Sequence, residues 1–173
     1  MPSDTIKLKY LLCHDSGHLN RMINKILVAT DSSAASNRAL KMAAQLANQY
    51  GAELHIIHVI RDMQIPFEIK EIPELEADKF ESFNDAREEV MRKIAESVLK
   101  LAKDIAGKAG AGKVQTVIGT GDPATSILSV AKRRKVDMIV IGTRGLGKIK
   151  GKILGSVSRK VTNNAETSCL IVR

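Results

Sequence analysis

The chain has 173 residues and a formal net charge of +8, with 44% hydrophobic and 27% charged residues, the proportions of one ordinary globular domain. Aromatic residues make up 3% and Trp is absent, which argues for an aliphatic and Ala-rich core and against base-stacking platforms. No stretch reaches the roughly 20 apolar residues of a membrane span, and no apolar run follows a basic start, so a cytoplasmic protein is expected.

Lys25 to Ala29 is a short apolar run ended by Thr30 and Asp31, read as a buried strand entering a helix cap. From Ser36 to Tyr50 apolar residues recur at helical spacing, with Ala39, Ala43, Leu46, Ala47 and Tyr50 as the inward stripe and Gly51 as the stop. Glu53 to Ile60 reads as a second strand covered on both faces. Its His55 and His58, three apart, point to opposite faces and are poor candidates for a shared metal. Between Arg61 and Phe83 prolines and carboxylates predict a long loop. A helix follows from about Asn84 to Ala106, with Val90, Ile94, Val98, Leu101 and Ile105 expected inward.

Lys113 to Ile118 forms a third strand, after which Gly121, Asp122 and Pro123 read as turn, cap and first helical residue. Val136 to Ile141 is the fourth strand and Cys169 to Val172 the fifth, with a helix between them from about Ser156 that turns Val157 and Val161 inward. Alternating strands and helices predict an α/β fold: an open, doubly wound, five-stranded parallel sheet with helices on both faces. Ligands of such sheets sit beyond the carboxyl ends of the strands, where the strand order reverses.

Charge is unevenly placed. Lys132 to Lys160 contains ten Lys or Arg against Asp137 alone, whereas Arg61 to Glu89 has ten carboxylates against four basic residues. Inside the cationic segment the fourth strand leads into a long glycine-rich connection, Gly142 to Ser156. Glycines let backbone amides approach a phosphate, and the following helix start adds unpaired N–H groups. Val at Gly142 or Gly155 is therefore expected to block a phosphate while leaving the fold intact.

The spacing Gly142-x2-Gly145-x9-Gly155-Ser156 matches the G-x2-G-x9-G-[ST] signature of the universal stress protein family, and the chain resembles that family's ATP-binding branch from about residue 23 onward. Lys25 to Ser33, Gly51 to Val59, Gly121 to Pro123 and Asp137 to Gly142 carry the rest of the likeness. The resemblance implies a three-layer, Rossmann-like sheet of the adenine nucleotide alpha hydrolase type, in strand order 3-2-1-4-5. It implies ATP, with Mg2+, as ligand. Adenine would be enclosed by Ala29, Thr30, Asp31 and Val59, and ribose and phosphates held by Gly142, Gly145, Gly155, Ser156 and Val157, with Ile141, Arg144 and Ser158 beside them. It also implies a homodimer through strand 169–172. Ser168 departs from the family, which usually has Pro there.

Other readings are weaker. Gly142-x4-Gly147-Lys148 lacks the Ser or Thr of a Walker A loop, since Ile149 follows. Gly119-x-Gly121 imitates a dinucleotide fingerprint, but Asp122 and Pro123 explain it as a cap. Asp31 is read as an adenine contact in preference to a cap of the first helix. No grouping of nucleophile, base and acid assembles, so a binding module is preferred to an enzyme. The alternatives are a slow ATPase, a nucleotide-transferring enzyme or a dimerisation module that binds no nucleotide. Residues 1–22 stand outside the resemblance as an extension to the domain 23–173; their Cys13, His14, Asp15 and His18 are metal-ligand types in a polar tail, and Cys13 and Cys169 are read as free thiols.

Overall fold

A computed structural model describes residues 23–61, 83–145 and 154–173. The N-terminal extension with Cys13, His14, Asp15 and His18, the acidic loop and the middle of the glycine-rich connection, including Lys148, Lys150 and Lys152, lie outside the described residues.

The elements run β1 (Lys25–Ala29), α1 (Ala34–Tyr50), β2 (Glu53–Ile60), α2 (Phe83–Lys108), β3 (Lys113–Thr120), α3 (Pro123–Arg134), β4 (Met138–Gly142), α4 (Ser156–Asn164) and β5 (Ser168–Val172). All five strands are parallel in the order β3-β2-β1-β4-β5, as expected. Central β1 pairs Val28 with Ile56 of β2 on one side and with Val140 of β4 on the other. Strands buried on both faces need side chains that are apolar in both directions, and Ile26, Leu27 and Val28 are all fully buried.

Odd and even positions of the sheet feed two cores. Ile26, Val28, Leu54 and Ile56 pack under α1 and α2, whereas Leu27, Ile57, Ile139 and Ile141 pack under α3 and α4. Each core buries side chains worth about 1.5–3 kcal/mol apiece. The amino edge of the sheet is tied by Asp137, whose Oδ2 accepts from the backbone N–H groups of Asn24 and Lys25 at 2.9 and 3.0 Å.

Local caps set the helix ends. Ser33 accepts from Ser36 N–H to cap α1, and Gly51 closes that helix at φ 63°, donating to Ala47 and Asn48 carbonyls. Asp122 caps α3 with Pro123 at its first turn, as the sequence predicts; Oδ1 accepts from Thr125 N–H at 3.0 Å and from its hydroxyl at 2.8 Å.

The inward faces differ from expectation in two helices. In α2 the buried residues are Ala95, Leu99, Ala102 and Ala106, while Ile94 and Leu101 are 51% and 58% exposed. Small side chains let the helix lie close on β2 and β3, and the larger ones are displaced to the flanks. In α1 the stripe is Ala39, Leu40, Ala43, Ala44 and Ala47, with Tyr50 exposed at the end. The third strand extends through Gly119 to Thr120, and β4 starts two residues late because Val136 N–H still closes α3 by donating to Ala131 O. Thr167, whose hydroxyl donates to Asp137 O at 2.8 Å, holds the turn before Ser168.

Candidate functional site

At the switch point the chain leaves β1 toward one face of the sheet and β4 toward the other, so their carboxyl ends part and open a cavity of about 500 Å³. All twelve residues singled out in the sequence line it. They are Ala29, Thr30 and Asp31 after β1, Val59 near the end of β2, Ile141, Gly142, Arg144 and Gly145 at and after β4, and Gly155, Ser156, Val157 and Ser158 at the start of α4.

The β1–α1 turn is a closed hydrogen-bond circuit. Thr30 N–H donates to Ile57 O at 2.9 Å, which continues the β1–β2 ladder past the end of β1. Asp31 Oδ1 accepts from Ser33 N–H at 3.0 Å, and Asp31 N–H donates to Ser36 Oγ at 3.4 Å. Asp31 is therefore an Asx-turn residue two positions ahead of the true cap, Ser33. Between them Ser32 holds φ 63°, a left-handed conformation that a non-glycine residue adopts at a cost.

The two ends of the glycine-rich connection meet. Gly155 N–H donates to Thr143 O at 2.8 Å, and Thr143 N–H donates to Val172 O at 2.7 Å. Gly155, not Ser156, is the N-cap of α4, and no side chain caps it. The first N–H groups of a helix have no intrahelical acceptor, so this start offers donors and the positive end of a helix dipole. Ser158 takes a different part: it is 4% exposed and donates its hydroxyl to Gly142 O at 2.7 Å.

Gly142 corrects the expectation that a side chain there would leave the fold intact. It is the buried last residue of β4, and a Cβ there would lie 2.8 and 2.9 Å from Ala35 C and O and 3.0 Å from Ser36 N. Its bareness lets α1 approach the sheet. Gly145 packs against Asp31, whose Oδ2 a Cβ would overlap, whereas a Cβ on Gly155 would make ordinary contacts, the nearest being Thr143 O at 3.4 Å.

Several lining residues escaped the sequence reading. His58 donates through Nδ1 to Thr30 O at 2.9 Å, because a carbonyl can only accept. Its adjacency to Val59 was the available signal. Arg61 and Arg159 join Arg144, so three arginines line the cavity against one carboxylate among the described lining residues, Asp31. Met91 and Ile94 of α2, with Ile60 and Leu154, make part of the wall apolar. Among the described residues no three His, Cys, Asp or Glu gather as a metal centre, and no helix is long and apolar enough to cross a membrane.

An open parallel sheet with helices on both faces and a cation-rimmed cavity at its switch point defines an α/β protein of the adenine nucleotide alpha hydrolase-like fold. The chain belongs to the universal stress protein family, whose sequence profile matches residues 22–173. It is similar to the universal stress protein YxiE of Bacillus subtilis, 37% identical over 156 residues that cover 88% of this chain and all of the relative. A universal stress protein solved in complex with cAMP superposes with a TM-score of 0.63 at 27% identity, over 88% of this chain and 98% of the other. UspA from Lactobacillus plantarum shares the fold with a TM-score of 0.70 at 23% identity, over 89% of this chain and all of that one.

Proposed function

We propose that the cavity holds an adenine nucleotide, ATP with Mg2+, and that the protein is a nucleotide-dependent stress-response or signalling module of the cytoplasm with no dedicated catalytic role. The observation that carries this reading is the junction of Gly155 with Thr143, which brings the uncapped start of α4 to a cavity that three arginines also line. In this reading adenine lies among Ala29, Thr30, Asp31, Val59 and Ile141. Ribose and phosphates lie along Gly142, Arg144, Gly145, Gly155, Ser156, Val157 and Ser158, the last contributing its backbone N–H because its hydroxyl is engaged. The cAMP complex of a similar protein supports an adenine ligand. Asp31 and the Ser156 hydroxyl are hard oxygen donors of the kind Mg2+ accepts, but with one carboxylate at hand the phosphates themselves would supply most of its ligands.

Asp31, the single carboxylate among the described lining residues, already accepts from Ser33, so we assign no general base. The edge strand β5 pairs with β4 on one side among the described residues, and its free side fits the two-fold pairing of a homodimer. Mass spectrometry of the denatured, freshly purified protein together with Mg-ATP calorimetry tests the reading. A co-purified adenine nucleotide or a saturable binding heat is expected; an empty protein that gives no heat would overturn it.

A further inference from the structure

Arg38 is an exposed residue of α1 and is not among the residues that line the cavity. It meets no carboxylate among the described residues; its Nε–H donates instead to the main-chain carbonyl of Arg173, just past β5, at 2.7 Å. A charged donor makes one of the stronger hydrogen bonds, and this one holds the end of an edge strand. Among the described residues β5 pairs with β4 alone, so its end is the kind of segment that frays first.

Main-chain bonds join that end to the phosphate side of the cavity. Val172 O, one residue before Arg173, accepts from Thr143 N–H at 2.7 Å, and Thr143 O accepts from Gly155 N–H at 2.8 Å. Gly155 is the N-cap of α4, and Arg144, next to Thr143, lines the cavity. Ser33 Oγ reaches Arg144 O only at 3.5 Å, so the bond to Val172 is the shorter tie of this corner.

We infer that Arg38 is a positioning residue for the phosphate side of the site. By fixing Arg173 it keeps Val172 O against Thr143 N–H, and Thr143 O then holds Gly155 and the uncapped N–H groups of α4 in place. The effect on binding rests on the nucleotide reading of the cavity; the relay itself does not. Without the donor at 38 the end of β5 opens, and displaced N–H groups hold a phosphate less tightly, while the side framed by β1 and β2 is untouched.

Two substitutions separate position from charge. Gln puts its amide nitrogen at the bonded position of Arg Nε and carries no charge, whereas Lys keeps the charge and has a methylene carbon there. In the unliganded protein, amide hydrogen exchange followed by NMR should quicken by about tenfold or more at Thr143 and Gly155 in Arg38→Ala and Arg38→Lys. In Arg38→Gln it should stay within about threefold of wild type, and Thr30 N–H, bonded to Ile57, should exchange alike in all. Calorimetry should show ATP bound about threefold or more weaker by the Ala and Lys variants and as in wild type by Gln, with adenosine, titrated by NMR, bound equally by all.

Unchanged exchange at Thr143 and Gly155 in Arg38→Ala would overturn the relay, and faster exchange with unchanged ATP affinity would overturn the positioning role. Restoration of ATP binding by Lys and not by Gln would overturn it too, since Arg38 would then act as a charge. Should Arg38→Ala not fold, the comparison of Gln with Lys makes the same decision. Wild type that binds neither ATP nor adenosine would remove the nucleotide reading and leave the exchange rates to decide the relay.

Discussion

Ser158 on the first turn of α4 donates its hydroxyl proton to the carbonyl of Gly142, the last residue of β4, across 2.7 Å in a buried setting. The bond locks the start of the helix to the end of the strand, so the uncapped N–H groups stand at a fixed place beside the cavity. Ser158→Ala removes the donor and is expected to lower stability by about 1–3 kcal/mol in urea denaturation. Ser158→Thr, which keeps the hydroxyl, should lose less.

Gly142 and Gly155 belong to one motif, yet their substitutions should separate. A Cβ at 142 presses on main-chain atoms of Ala35 and Ser36, which cannot swing aside as a side chain would. Gly142→Ala should therefore cost about 1–3 kcal/mol of stability. Gly155→Ala meets nothing closer than 3.4 Å and should leave stability within about 1 kcal/mol of wild type, while its methyl group obstructs phosphate approach and weakens ATP binding. Thermal denaturation and calorimetry on the two variants read both effects.

His55 is 2% exposed, and burial depresses its pKa below the ordinary 6.5, with Glu53, 3.3 Å away, pulling in the opposite direction. The folded protein resists the proton that the unfolded chain accepts. Stability should thus be unaffected by this group above pH 6.5 and should fall as pH drops from there toward the depressed folded value, by at most about 1.4 kcal/mol per pH unit. In His55→Leu this component disappears, and the difference between the denaturation free energies of the two proteins from pH 7.5 to 5 isolates it.

Lys135 closes α3 at φ 53°, donating its N–H to Ala131 and Lys132 carbonyls from a left-handed conformation. Lys135→Gly relieves the strain and keeps both backbone bonds, for an expected gain of about 0.5–1 kcal/mol in chemical denaturation. The cavity and any nucleotide affinity should be unchanged.

The local features of this fold were legible because their causes are local. Asp122 followed by Pro123 specified a helix start, Gly51 a helix end, and the aliphatic runs of β1, β2 and β4 a sheet covered on both faces. Helical periodicity in α2 is equally plain, but in the sequence it points to the bulkiest stripe. Hydrophobicity does not reveal that a helix crossing two strands at close range takes Ala95, Ala102 and Ala106 inward and leaves Ile94 beside a cavity. For Asp31, cap and ligand contact look alike in sequence. The difference lies in whether Ser33 or Asp31 reaches Ser36 N–H, and the structure gives that bond to Ser33.

By itself the sequence determined the α/β class, the glycine signature and, through it, the family, since strand runs, helix caps and glycine spacing are properties of short segments. The tertiary structure decided what those segments are for when they meet. Ser33 Oγ reaches Arg144 O across 111 positions, His58 reaches Thr30 across 28, and Gly142 is bare because a helix that begins 108 residues earlier lies against it. Such contacts depend on strand order and register, which parallel crossovers set over long separations and which no local pattern in the chain encodes.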